Sequence, residues 1–175
     1  MKILLLSIIA CSALIYVANT HTDEPKPQAV TLPPVPPKDT VLAKAAKAIA
    51  TIESHNNPKA RRFEPRVFTR LTGLVALTFN EAKALNWRAA MLSTSCGKYQ
   101  LLGTNYRKAG FDRIERMFHA SEVEQDSAFM RFIRTQNIAH LLHARKWKQF
   151  ARCYNGAGYR KNRYDVKLAC LMEGA

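Results

Sequence analysis

Acidic side chains are scarce in this chain of 175 residues: 13 Asp and Glu stand against 27 Lys and Arg, for a net charge of +14. That imbalance points to an anionic partner, whether nucleic acid, an acidic membrane or an acidic polymer such as bacterial cell wall. Glycine and proline are also few, at seven and eight residues, which excludes a collagen-like or wholly low-complexity chain. Four cysteines, none in C-x-x-C spacing, are too few for a disulfide scaffold and argue against a structural zinc site. No window alternates apolar and polar residues with period two, so an extensive sheet is excluded. The five histidines lack carboxylate or cysteine partners at ligand spacing, and His140 with His143 reads as ordinary packing on a helix face. No Ser-His-Asp set and no glycine-rich phosphate loop is visible, so no metal and no cofactor is expected.

What is present divides the chain in three. Residues 3–18, ILLLSIIACSALIYVA, are uniformly apolar or small after Lys2. As a helix they span about 24 Å, short of the ~30 Å hydrocarbon core that about 20 residues cross. Residues 1–20 therefore read as a signal sequence or a marginal inner-membrane anchor, with export to the periplasm. Ile8-Ile9-Ala10-Cys11 resembles a lipobox, which would make Cys11 a lipidated N-terminus. Residues 21–39 are a linker, with six of the eight prolines between 25 and 37, extended and unable to pack a core. Residues 40–175 form one domain, which holds 24 basic and 10 acidic residues, since the first 39 carry three of each sign. With 47% hydrophobic residues overall, the chain can build a core.

The domain is expected to be mainly α-helical. Asp39 or Thr40 caps a helix over 41–54, with Leu42, Ala45, Ile49 and Ile52 as its apolar stripe. A short helix or turn over 66–72 stops at Gly73. Asn80 caps a helix over 81–91. STSCGKYQ at 93–100 is a turn leading into an element over 101–109. Ser121 and Glu124 form a capping box for a helix over 122–134. Further helices fall at 136–143, 145–152 and 162–172, with YNGAGY at 154–159 as a glycine-bearing turn. The one place open to a small β-hairpin lies between 55 and 68.

Among the domain's carboxylates, most lie in charged helical surroundings or, like Glu81, in the first turn of a helix. Glu53 and Glu64 differ. Glu53 ends an amphipathic helix, where the dipole and apolar neighbours both disfavour the anion and push its pKa up, toward use as a general acid. The alternative is an exposed helix-end carboxylate. Glu64 lies between Phe63 and Pro65, and its alternative role is an ion pair with Arg61, Arg62 or Arg66.

Five ordered blocks carry a resemblance: IES at 52–54, FEPRVFTRLTG at 63–73, STSCGKYQLLGTNYRKAGF at 93–111, SEVEQDSAFMRFI at 121–133 and WKQFARCYNGAGYRKNRYDVKL at 147–168. Together they resemble the phage-type N-acetylmuramidases of endolysins, within the lysozyme-like superfamily. The resemblance covers nearly all of 41–172 and implies a mostly helical, lysozyme-like domain; a monomer is expected. It implies cleavage of the bond from N-acetylmuramic acid to N-acetylglucosamine in peptidoglycan, with Glu53 as catalytic acid. Glu64 would be a second site carboxylate or a structural partner. Gln100, Tyr154, Asn155, Ser54 and Tyr99 would bind the glycan; amides and phenols supply the donors, acceptors and stacking faces that sugars need. The sequence departs from the family pattern in two places. Cys96 stands where a Trp is usual, and His55-Asn56-Asn57-Pro58 follows Glu-Ser where glycine is usual.

Two other readings compete. A lytic transglycosylase also needs one acid but forms an anhydro product. A cationic wall-binding protein would lyse bacteria without any catalysis. Nucleic-acid binding is disfavoured by export. In an oxidising periplasm two of Cys96, Cys153 and Cys170 can pair and leave an odd thiol for Cys11; the alternative is that they are ordinary small residues.

Overall fold

The structure is a computed structural model and describes residues 39–174. The apolar segment at 3–18, the lipobox at Cys11 and the proline-rich linker lie outside the described residues. No helix among the described residues is long and apolar enough to cross a membrane.

The chain begins with α1 (Thr40–Ser54), capped by Asp39, whose Oδ1 accepts from the Leu42 amide at 3.1 Å. Its buried stripe runs through Leu42, Ala45, Ala46, Ile49 and Ala50. α1 ends sharply. His55 and Asn56 both take left-handed backbone conformations (φ 54° and 61°), and their amides return to Thr51 O and Ala50 O. Both lie in the stretch His55–Pro58, where the resemblance noted from the sequence leads one to expect glycine. His and Asn hold the turn at a backbone cost that glycine would avoid.

After α1 come β1 (Arg61–Phe63), α2 (Pro65–Thr72, closed by Gly73), α3 (Phe79–Leu92), β2 (Thr94–Cys96) and β3 (Leu101–Leu102). The strands make one antiparallel sheet in the order β1-β2-β3, with Arg62 opposite Ser95 and Ser95 opposite Leu102. The hairpin is thus β2–β3, and the strand inside 55–68 joins it as an edge instead of folding back on itself. The cap of α3 also differs from expectation. Thr78, not Asn80, closes a capping box with Glu81, because only Thr78 has a Glu three residues on to return the bond. The helix breaks at Asn86, whose Oδ1 accepts from the Ala89 amide at 2.9 Å and caps the second half. The element expected at 101–109 is β3 followed by a single 3₁₀ turn at Gly103–Asn105.

The remainder is helical: α4 (Ile114–Phe118), α5 (Glu122–Thr135), α6 (Ala139–His143), α7 (Trp147–Asn155), a 3₁₀ turn at Gly156–Arg160, and α8 (Tyr164–Glu173). The Ser121–Glu124 capping box starts α5 as the sequence implies. α4 has no counterpart in the sequence reading. The Tyr154-Asn155 pair belongs to the last turn of α7, not to the glycine turn that follows.

Two apolar cores result. The larger joins α1, α4, α5, α6, α7 and α8 around Ile49, Phe129, Ile133, Leu142, Phe150 and Leu168. The smaller lies under the α2–α3 lobe and consists of Phe68, Ala76, Ala82, Ala89 and Ala90, edged by Phe63 and Phe79.

Candidate active site

An open cleft is lined by residues from both cores' elements: Glu53 from α1, Arg62 and Glu64 around β1, Ser95 and Leu102 from the sheet, Gln100 and Asn105 from the loops, and Phe132, Tyr154 and Asn155 from α5 and α7. It therefore gathers Glu53, Glu64, Gln100, Tyr154 and Asn155, five residues that the sequence singles out from four separate blocks.

Glu53 stands in the last turn of α1 and is half-buried. Burial raises its pKa above the ordinary carboxylate value, against the pull of the Tyr164 hydroxyl and the Arg62 guanidinium, both of which favour the anion. The Tyr164 hydroxyl is itself buried beside that carboxyl, without a well-formed hydrogen bond to it. It thus sits beside the carboxyl as an unused donor, and burial with nearby negative charge drives its own pKa far up. Tyr154 is fixed differently. Its hydroxyl donates to the Tyr99 carbonyl at 2.8 Å, and its ring stacks on Phe150 with centroids 5.4 Å apart and meets the edges of Phe129 and Phe132. Burial first, and the Glu53 charge second, hold its phenol well above 10. Tyr154 is a rigid neutral wall of the cleft.

Gln100 takes a left-handed backbone (φ 46°) and donates its Nε2 to Gly97 O at 2.9 Å. That bond orients the amide and leaves its carbonyl oxygen for a ligand's hydroxyl or amide. Across the cleft, Glu64 caps the start of α2 by position without a side-chain cap bond, and its Oε1 accepts instead from Arg62 Nε at 2.7 Å. Of the three arginines considered for Glu64, Arg62 is therefore its partner. Arg61 points elsewhere, its guanidinium over the Phe118 ring at 4.8 Å.

Ser54 and Tyr99 do not line this cleft. Ser54 donates to Lys98 O at 2.9 Å and accepts from the Asn57 amide at 3.0 Å, which ties the end of α1 to the Gly97–Gln100 turn. Tyr99 is buried, stacks on Phe129 at 4.4 Å, and donates its hydroxyl to Asp126 Oδ1 at 2.6 Å. The same carboxylate accepts from the buried Lys98 ammonium at 2.6 Å. Both residues hold the turn that presents Gln100. Cys96 is buried in β2 with its thiol pushed up to about 11, and Cys153 is exposed on α7; neither carries a disulfide.

Three polar lining residues are not among the site residues read from the sequence. Arg62 and Ser95 enter the cleft because they are paired across β1 and β2. Asn105 enters from the 3₁₀ turn. For Arg62 a signal existed: it lies two residues before Glu64 in extended chain, hence on the same face.

A family model described as N-acetylmuramidase matches residues 76–174. The crystal structure of an endolysin from Burkholderia AP3 phage superposes with a TM-score of 0.59 at 24% identity, covering 78% of this chain and 69% of that one. No curated protein matches the chain. The matched span holds Gln100, Tyr154 and Asn155, while Glu53 and Glu64 precede it.

Proposed function

Because the chain belongs to the N-acetylmuramidase family and is a peptidoglycan hydrolase, we propose that Glu53 is the general acid that cleaves the bond from N-acetylmuramic acid to N-acetylglucosamine. The observation that carries this reading is the setting of Glu53: a carboxyl at a helix C-terminus, half-buried in a cleft, with its pKa raised by burial. A raised pKa keeps the proton available for the glycosidic oxygen as that bond breaks. Glu64, ion-paired to Arg62, supplies negative charge elsewhere in the cleft to balance the oxocarbenium-like centre that develops. The Gln100 carbonyl and the Asn155 amide take sugar hydroxyl and acetamido groups against the Tyr154 wall.

Glu53→Gln should lower turnover on isolated cell wall by about 10²–10⁴-fold with circular dichroism unchanged. Near-normal lysis by E53Q would reject the acid and favour a cationic lytic protein. Mass spectrometry of the wild-type digest tests the bond and the water: reducing muramic acid ends support hydrolysis, and anhydro ends, lighter by one water, would indicate a transglycosylase. We further propose that residues 3–18 carry a monomeric enzyme to the periplasm, tethered to the inner membrane or lipidated at Cys11, as part of phage or prophage lysis. Recovery of the protein solely as a soluble periplasmic form, cut after residue 18 and without lipid, would reject the tether.

A further inference from the structure

Arg62 pairs with Glu64 and favours the Glu53 anion, yet its geometry leaves most of its donors unused. It is the middle residue of β1, and its side chain is 62% exposed into the cleft. Glu64 occupies Nε. Among the described residues, neither terminal guanidinium nitrogen makes a hydrogen bond. Such a clamp, carboxylate on Nε and the two-nitrogen fork free, presents a planar donor pair suited to a second carboxylate. Arg62 is also the only cation among the residues lining the cleft, which otherwise offers an anionic ligand two carboxylates. A ligand with negative charge near this wall has one place to put it.

The glycan read in the preceding subsection alternates two sugars that differ at one substituent. Muramic acid carries a lactyl ether, which ends in a carboxylate in stripped strands and in a peptide stem bearing its own carboxylates otherwise. Chitin, made of N-acetylglucosamine alone, has neither. We propose that Arg62 is a specificity-determining residue that binds a carboxylate carried on the muramic acid, and that Glu64 holds the guanidinium in the orientation this needs. The inference rests on the cleft being the glycan site, and it does not depend on which residue gives the proton.

The test is therefore a binding measurement without turnover. The full chain carrying E53Q is titrated calorimetrically with three tetrasaccharides: stripped peptidoglycan with free lactyl groups, the same with an Ala-Glu stem, and chitotetraose. Preference for either acidic ligand over chitotetraose supports the proposal, and which of the two is preferred identifies the carboxylate read. Adding Arg62→Gln should reduce that preference about three- to tenfold, the range for an exposed charge-assisted hydrogen bond. Glu64→Gln controls for charge, since R62Q also bares Glu64. If the R62Q/E64Q pair regains the full preference, the loss came from repulsion by Glu64 and the proposal falls. Equal binding of all three ligands before Arg62 is changed, or an undiminished preference in R62Q, overturns it as well. An E53Q protein that still lyses wall would defeat the acid assignment, and the comparisons then stand on those titrations in which mass spectrometry finds the tetrasaccharide intact.

Discussion

At the scale of single residues, the cleft turns on how a carboxyl is kept from ionising too easily and is then relieved when it does. Burial acts on Glu53 first, and the Tyr164 hydroxyl opposes it. That hydroxyl lies beside the carboxyl without a well-formed hydrogen bond, so Tyr164→Phe removes little that the fold uses. Y164F should melt at or above the wild-type temperature, and the alkaline limb of kcat/KM should move to higher pH, because the anion loses a donor. An unmoved limb in a pH–rate series would mean that Tyr164 serves packing alone. Glu53 also leaves a mark on stability. Its folded-state pKa lies above the ordinary value, so the folded state holds its proton longer than the unfolded chain does, and stability falls as pH climbs from the ordinary value through the raised one. E53Q carries no charge to bury. It should outlast the wild type in melts at pH 7, with the gap closing below the ordinary carboxylate pKa; a gap constant in pH would contradict the raised value. Of these residues, Glu53 was legible because a helix end and its apolar neighbours are local facts. Tyr164 was not, because α8 reaches α1 only through tertiary packing.

At the scale of elements, legibility follows the range of the forces involved. α1 and α5 begin where Asp39 and Ser121 imply, because capping is settled within four residues. The sheet was legible only in part: β1 falls in the stretch 55–68 open to a hairpin, but strands of three, three and two residues are too short to display a period, and β1 pairs with β2 across the whole of α2 and α3. The same non-local packing makes one loop residue critical. Gly103 starts the 3₁₀ turn after β3, and a Cβ there would lie 2.2 Å from the Met91 carbonyl oxygen and 2.8 Å from Leu92 Cα. Both are backbone atoms of α3, so nothing can swing aside. Gly103→Ala should cost about 1–3 kcal/mol, the range for overpacking, in chemical denaturation. A loss of only a few tenths would show that the turn can slide off α3.

At the scale of the whole molecule, the two cores are unequal. The larger one buries aromatic and branched side chains from six helices, whereas the smaller is mostly alanine around Phe68. Alanine buries little area, and burial scales with area, so the α2–α3 lobe is the weaker unit. The cleft draws on both: Glu53, Tyr154 and Asn155 belong to elements of the larger core, while Arg62 and Glu64 flank Phe63 at the edge of the smaller. Heating should therefore silence the enzyme before it melts the protein. Wall-degrading activity assayed at the elevated temperature is expected to vanish where the far-ultraviolet helix signal is still largely intact, and to return on cooling while the larger core persists. Filling the small core, with Ala82→Val as a first trial, is the corresponding route to a more heat-tolerant hydrolase, whereas reinforcing the larger core would raise the melting temperature and leave the inactivation temperature where it was.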